Sequence, residues 1–350
     1  MKSRITFVVN PKSGTASKSN VVRHIGLLLD NEKFEYSVVF TQYVGHATEI
    51  ASEAVSNGVD VVCAVGGDGT VNEVARALVG TSTALAIIPL GSGNGLARHL
   101  HIPTDISGAI KVINEGITEL MDYGVVNPIP FFCTCGVGFD AFISMKFAQS
   151  GKRGPISYME NVLKNGLRYN PERYDIEVED ENEQVVTYNA FLISCANASQ
   201  YGNNAYIAPQ ASVRDGLMDV TIIQPFTMID APQIAIQLFN GTIDQNSHIK
   251  TFRCRKLCIH RASPGVIHYD GDPVETESEV NVEIISKALK CISQPTEGVI
   301  EVGENIQNMI VSHFNDIQLR SEMLWKSNMQ RNRQFVKMNM ELFKKLSSKK

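Results

Sequence analysis

A chain of 350 residues, 43% hydrophobic and 20% charged, has the composition of an ordinary soluble globular protein. At roughly 150 residues per domain it has room for two. The formal net charge of −5 gives no general attraction to nucleic acid, so no nucleic-acid partner is expected. The seven cysteines are odd in number and lie mostly in apolar runs, unlike a secreted disulfide framework, which points to a reducing compartment. Cys133-x-Cys135 and Cys254-x₃-Cys258 lack a companion His or Cys cluster at zinc spacing and read as buried thiols. The N-terminal stretch breaks into a Pro/Gly turn after one short apolar run, and no later stretch reaches the ~18 apolar residues of a membrane span. The expectation is a cytoplasmic protein that can still touch the inner face of a membrane.

In chain order, the first 120 or so residues repeat one grammar. Ile5–Val9 reads as a strand, Asn10-Pro11-Lys12-Ser13-Gly14 as a turn, and Val21, Val22, Ile25, Leu28 and Leu29 fall at helical spacing. Tyr36–Phe40 is a second strand ending at Thr41, Ala47–Val55 a helix, and Val59–Val65 a third strand. Gly66-Gly67-Asp68-Gly69-Thr70 follows, then a helical stripe through Val71, Val74, Ala75 and Leu78. Leu85–Pro89 is a fourth strand, leading into Gly91-Ser92-Gly93-Asn94-Gly95 and another helix. Alternating strands and helices predict a parallel sheet covered on both faces. Its loops at the carboxyl ends of the strands should be neighbours, and ligands bind at that edge.

After about Tyr123 the pattern changes. Tyr174–Val178, Val185–Ala196, Met218–Ile223, Lys256–Arg261 and Val266–Tyr269 predict a mostly antiparallel β domain of sandwich type, with Ile229–Phe239 as its principal helix. The predicted division is residues 1–122, 123–300 with a last strand returning to the first domain, and a helical extension over 301–350. From Ser321 to Lys350 the chain carries eight Lys/Arg against Glu322 and Glu341, a charge of +6 that leaves −11 on the rest.

The Gly66–Thr70 loop, between an apolar strand and an amphipathic helix, suits phosphate: glycines let backbone amides approach, and the helix N-terminus favours an anion. Asn72 stands where a dinucleotide fingerprint needs its last glycine, and no Gly-Lys-Ser/Thr follows as in a Walker A loop. Asp68 inside such a loop repels phosphate unless it serves a cation or organises water. Ser92 and Asn94 have donors for phosphate oxygens, although small polar residues before a helix are also ordinary caps. Lys12 offers a cation. Ser212-Val213-Arg214-Asp215-Gly216-Leu217 reads either as a plain turn or as oxygen ligands for a hard cation. Asp270-Gly271-Asp272 puts two carboxylates at a strand end, or is a simple hairpin turn.

Taken in order, these motifs resemble the diacylglycerol kinase catalytic-domain family, which includes bacterial lipid kinases and sphingosine kinases. The matching elements are Asn10-Pro11-x-Ser13-Gly14, Thr41, Gly66-Gly67-Asp68-Gly69-Thr70-x-Asn72-Glu73, Pro89-Leu90-Gly91-Ser92-Gly93-Asn94, Gly138-Phe139-Asp140-Ala141, Asp215-Gly216-x-x-Asp219 and Asp270-Gly271-Asp272. The resemblance spans about residues 5–285. It implies an α/β nucleotide domain of the kind shared with NAD kinases, a C-terminal antiparallel β-sandwich domain, and transfer of phosphate from ATP, with Mg²⁺, to a lipid hydroxyl at a membrane surface.

Carried over by position, Asp270 is the general base. Asn10, Lys12, Ser13, Gly14, Thr41, Gly66, Gly67, Asp68, Gly69, Thr70, Val71, Asn72, Gly91, Ser92 and Asn94 line the ATP site. Ser212, Asp215 and Leu217 bind Mg²⁺, linked through water to Asp68 and Asp272, and Asp140 contacts the lipid head group. Asp272 stands where the family usually has Glu, and Gly91–Ala97 leans towards the sphingosine and ceramide kinases. Met, Leu and Phe interleaved with Lys and Arg make the tail an amphipathic helix, lying on anionic lipid or packing on its own protein or on a second subunit of a homodimer. The rivals are an NAD kinase, which shares the Gly-Gly-Asp-Gly-Thr loop, and a lipid-binding protein without turnover.

Overall fold

The computed structural model describes residues 2–14, 18–150, 169–179, 185–227 and 229–294. The basic tail lies outside the described residues. Four parallel strands begin the chain: β1 (Ser3–Val9), β2 (Phe34–Phe40), β3 (Val61–Gly66) and β4 (Ala84–Pro89). Helices α1 (Lys18–Leu28), α2 (His46–Ser56) and α3 (Asp68–Leu78) join them. Their order across the sheet is β2-β1-β3-β4. Every residue of β3 and β4 is buried, as expected of parallel strands covered by helices on both faces. The chain reverses its direction of travel across the sheet between β1 and β3, and that switch point is where such folds open a crevice at the strands' carboxyl ends.

Next come α4 (Gly95–His99), α5 (Ile106–Glu115), β5 (Ile117–Val126), β6 (Ile129–Phe131), β7 (Thr134–Gly138) and α6 (Phe139–Ser150). Residue 122, where the sequence grammar changes, lies inside β5. The remainder is β8 (Glu172–Val178), β9 (Val185–Ala190), β10 (Leu192–Ala196), β11 (Met218–Ile223), α7 (Ala231–Asn240), a short 3₁₀ turn, and β12 (Ile249–Cys254) to β16 (Glu279–Ser293). Between the last two are β13 (Lys256–Arg261), β14 (Gly265–Tyr269) and β15 (Asp272–Thr276). A six-stranded antiparallel sheet, β12-β11-β10-β7-β14-β15, packs against the antiparallel part of a ten-stranded sheet that also contains β1–β4. Phe131, Val137, Ile176, Val220, Ile259 and Val282 fill the space between them. The other face of the six-stranded sheet is covered by α6 and α7 through Phe139, Ile143, Ile207, Ile223 and Ile234.

Two expectations are corrected. The run Val185–Ala196 is not one strand: β9 pairs with β8 in the large sheet, the chain turns at Phe191, and β10 pairs with β7 and β11 in the other. An apolar run gives no sign of such a change of sheet, because both halves are pleated and half-buried. The helix expected at Ile229 starts at Ala231, with Pro232 in its first turn and Gly241 left-handed just past its end. The last strand, β16, pairs with β13 and β5 and, near its end, in parallel with β4 (Cys291 beside Leu85). It runs from the sandwich into the nucleotide sheet. All seven cysteines are free thiols, six of them buried.

Candidate active site

The Gly66–Thr70 segment is tighter than a loop. Gly66 ends β3, Gly67 is the helix cap, and Asp68 already belongs to α3, so the amides of the first α3 turn face the sheet edge. The three glycine loops do meet there. A Cβ on Gly14, whose φ is +64°, would stand on the carbonyl oxygen of Leu90. A Cβ on Gly67 would come within 3.1 Å of Gly91 Cα, while Gly69 has nothing within 4 Å on its open side. Asn10 Nδ2 donates to Thr70 Oγ1 at 3.0 Å across the β1–β3 switch point, and Asn10 Oδ1 accepts from Lys12 N at 2.9 Å. Thr41 is buried and its amide donates to Val9 O. Lys12 and Ser92 are exposed at the rim, and Ser13 is buried. A small-residue edge lined with helix-terminal amides and one exposed lysine fits a polyphosphate chain.

Asp68 resolves its conflict with phosphate within the protein. Its carboxylate accepts from the amides of Asn94 (2.8 Å) and Gly95 (2.7 Å) at the start of α4, tying the second glycine loop to the third. Asn94, left-handed at φ 55°, closes its own loop through Gly91 N and Gly91 O, both at 2.9 Å. Asn72 is also engaged: it accepts from Arg76 (2.7 Å) and donates to Asp270 Oδ2 (2.8 Å). Its partner is 198 residues away in sequence. Both asparagines thus build the frame of the site.

Asp270 sits in a left-handed turn (φ 48°) and is held on every side. Oδ2 accepts from Asn72 Nδ2 and Phe132 N (2.9 Å), Oδ1 from Cys133 N (2.7 Å) and Thr134 N (3.2 Å). Desolvation raises its pKa above the ordinary carboxylate value, opposed by those hydrogen bonds. Asp68 is also raised, by desolvation first and by the charge of Asp270 in addition. Asp272, exposed at the turn, is raised by desolvation and then by repulsion from Asp270 and Glu73. Burial, with repulsion from Asp270 at both Asp68 and Asp272, thus works against ionisation of these carboxylates.

At the turn of Ser212, Asp215 and Leu217 the carboxylate meets a side-chain cation. The carboxylate of Asp215 is paired with the guanidinium of Arg253, whose Nε also donates to Asp219 Oδ2 at 3.1 Å. Leu217 N donates to Asp215 Oδ1 at 3.2 Å. The Arg253 guanidinium thus neutralises the carboxylates of Asp215 and Asp219 beside this turn. Among the described residues no group of three or more His, Cys, Asp or Glu is arranged to hold a metal. Asp140, expected at the lipid head group, is engaged within the protein. It is 5% exposed, and its oxygens accept from Ala141 N (2.8 Å), Tyr201 Oη (3.1 Å) and His268 Nε2 (3.0 Å).

Sequence reasoning missed three organising residues. Asp122, fully buried in β5, accepts from Gly216 N and Lys287 N, each at 2.7 Å, and fixes the 212–217 turn to the β16 bulge. A lone acid inside the run Leu120-Met121-Asp122-Tyr123 was the available signal. Glu73 accepts from Gly45 N (2.9 Å) and Ala47 N (3.1 Å) at the start of α2. His99 Nδ1 lies 3.1 Å from Ser199 N and 2.9 Å from Ser199 Oγ, linking α4 to the β domain.

Residues 4–126 match the model of the diacylglycerol kinase catalytic domain, and residues 133–293 that of the YegS C-terminal NAD kinase beta sandwich-like domain. An uncharacterised Synechocystis protein, sll0036, is 30% identical over 311 residues, covering 83% of this chain and 70% of the relative. The chain belongs to the diacylglycerol kinase catalytic-domain family. Within that family, a probable lipid kinase YegS of Salmonella dublin is 28% identical over 292 residues, covering 81% of this chain and 94% of its own length. A diacylglycerol kinase of Staphylococcus saprophyticus is 26% identical over 277 residues, covering 78% and 90%. The same fold is seen in a putative diacylglycerol kinase from Bacillus anthracis (TM-score 0.68, 22% identity, 84% and 98% covered). Among the described residues no helix is long and apolar enough to cross a membrane.

Proposed function

We propose that this chain transfers the γ-phosphate of ATP to the primary hydroxyl of a membrane lipid, with diacylglycerol and sphingoid long-chain bases the classes in view. One observation carries the reading: Asp270, from the far end of the chain, is bonded to Asn72 of the phosphate-loop helix and lies within the electric field of Asp68. The carboxylate for the acceptor alcohol and the amides for the phosphates thus share one crevice. Phosphoryl transfer asks for little more than alignment and charge stabilisation.

The glycine edge of β1, β3 and β4 would orient the polyphosphate, with Lys12 at its rim. Asp270, its pKa raised by desolvation, would exchange one of its four hydrogen bonds for the lipid hydroxyl and take its proton as the oxygen attacks, because a base closer to neutral pH transfers protons more effectively. Mg²⁺, when bound with the nucleotide beside Asp68 and Asp272, would spread the charge of the transferring phosphoryl group. Access to such a lipid implies work at a membrane surface.

The test is ATP consumption that depends on added lipid. Asp270→Asn should lower it on the order of 10³-fold. The same change should also lower the melting temperature, because an amide cannot accept from all the donors that now face the carboxylate. Undiminished turnover in that variant would remove Asp270 from the reaction. Purified protein given ATP, Mg²⁺ and NAD should form no NADP.

A further inference from the structure

The hairpin that carries Asp270 is gripped from the side by one residue of the phosphate-loop helix. β14 and β15 are paired up to Tyr269 and Asp272. Asp270 and Gly271 therefore form a two-residue turn, and both have positive φ (48° and 89°), as a type I′ hairpin requires. Arg76, about two turns beyond Asp68 in α3, reaches both flanks of this turn. Its guanidinium carbon lies 5.7 Å from the centroid of the Tyr269 ring, within cation–π range. On the other flank, burial and the charges of Asp270 and Glu73 raise the pKa of Asp272, and the Arg76 charge opposes them.

A third contact runs through Asn72. Arg76 Nη2 donates to Asn72 Oδ1 at 2.7 Å, and Asn72 Nδ2 donates to Asp270 Oδ2 at 2.8 Å. A guanidinium can only donate and an ionised carboxylate can only accept, so an amide between them has one orientation. Turned over, it would set its oxygen against the carboxylate and its NH₂ group against the cation. Asn72 is 3% exposed, so neither end of the amide has water as a ready substitute. Of the four described donors to the Asp270 carboxylate, three are backbone amides of residues 132–134. Asn72 alone comes from the phosphate-loop helix. The tie between that carboxylate and the phosphate loop therefore depends on which way the Asn72 amide faces. Arg76 Nε, in addition, is buried without a hydrogen-bond partner. Such an orphan costs stability, the opposite of what a residue kept for packing would show.

We infer that Arg76 is a positioning residue for phosphoryl transfer, which fixes the Asn72 amide and seats the Asp270 hairpin against the phosphate-loop helix. This rests on the lipid-kinase reading. Arg76 acts through Asn72 and the Tyr269 ring, not by contact with either substrate. Its loss leaves Asp270 on the three backbone amides, still buried but able to shift relative to the phosphate loop. A displacement of about 1 Å at a reacting centre costs on the order of 10²-fold in rate. ATP at the glycine edge and the lipid are held by other groups, so the loss should fall on kcat and not on either KM.

The experiment uses the full chain with ATP and either dioctanoylglycerol or sphingosine in mixed micelles, and compares Arg76→Met, Arg76→Lys, Asn72→Ala and the double variant. Arg76→Met should lower kcat on the order of 10²-fold, with both KM values within about twofold of wild type. Its melting temperature should change little, because the cost of the buried Nε disappears together with the bond to Asn72. Arg76→Lys, still a donor to Asn72 Oδ1, should keep about a third of kcat or more. Adding Arg76→Met to Asn72→Ala should cost less than about threefold further, since the first change acts through the second residue. By NMR, the Asn72 NH₂ protons, identified by their loss in Asn72→Ala, should exchange slowly with solvent in wild type and Arg76→Lys. In Arg76→Met they should exchange about tenfold faster or more. No phosphorylated lipid in wild type would overturn the kinase reading, and the exchange rates would still decide the Asn72 contact. A kcat near wild type in Arg76→Met, a loss carried by either KM, losses that multiply in the double variant, or slow Asn72 protons without Arg76 would overturn the assignment. Failure of both Arg76→Met and Arg76→Ala to fold would also overturn it, making Arg76 a structural residue.

Discussion

The two sides of the crevice are made of different material. The nucleotide side is backbone: amides of the α3 and α4 first turns and glycines that let three loops touch. The side proposed for the acceptor is side chains: Asp140 on α6, bonded to Tyr201 and His268, and Asp270 just past β14, bonded to Asn72. Backbone recognition tolerates almost any change except one that adds a Cβ. Side-chain recognition tolerates changes of backbone neighbours and fails when one polar atom is removed.

The largest expected effect comes from a matched pair of glycine substitutions. Gly14→Ala places a methyl on the Leu90 carbonyl and forces a left-handed alanine, a cost of about 1–3 kcal/mol. It should abolish most of the melting-temperature rise that ATP gives, while the lipid KM stays near wild type. Gly136→Ala pushes into Asp140 Oδ2 and the Ile193 carbonyl and should do the opposite, raising the lipid KM and leaving the nucleotide shift intact. If both variants lost both properties, the two sides would not be separable, and the contrast drawn here would fail.

A middle-sized effect tests the seam. Burial, with the charges of His101 and Arg214, lowers the His99 pKa from 6.5 to about 4. The folded protein thus prefers neutral His99, and its contribution is fully present above pH 6.5 and is lost as the pH falls towards 4. Unfolding by urea at pH 7 and pH 4.5 should differ by about 1–3 kcal/mol from this residue. His99→Asn, which keeps an acceptor for Ser199 without a titrating ring, should flatten that part of the profile. An unchanged pH dependence in the variant would mean the seam does not rest on His99.

The smallest expected effect lies away from the crevice. Because Arg253 neutralises Asp215 and Asp219, EDTA should leave the melting temperature of the nucleotide-free protein unchanged. Arg253→Met, by leaving two carboxylates facing each other, should lower stability by about 1 kcal/mol and make it rise again with added Mg²⁺. A fall in melting temperature of the wild type in EDTA would support a metal at this turn.

The legibility of the molecule follows the same division. The four parallel strands and the glycine loops lie within short windows, where apolar runs, turn residues and helical spacing repeat. Their convergence followed from topology alone. Asp270 could be assigned only through family resemblance, because Asp-Gly is also an ordinary hairpin turn and its partner Asn72 is distant in sequence. The pairing of Asp215 with Arg253 could not be read from the sequence, because the two lie 38 residues apart on separate segments. The contact of Asp140 with His268 gave no local signal, because the two lie 128 residues apart in the chain.

β16 carries a consequence for how the protein is made. It is the last described strand to leave the ribosome, yet it lies in the interior of the ten-stranded sheet, between β4 and β5 at one end and β13 and β5 at the other. Until Ser293 has emerged, the nascent nucleotide half ends in an unpaired β4 edge, the kind of template that invites another chain. The two halves are therefore completed by one strand at the same moment, and the crevice between them closes only when synthesis of the sandwich is finished.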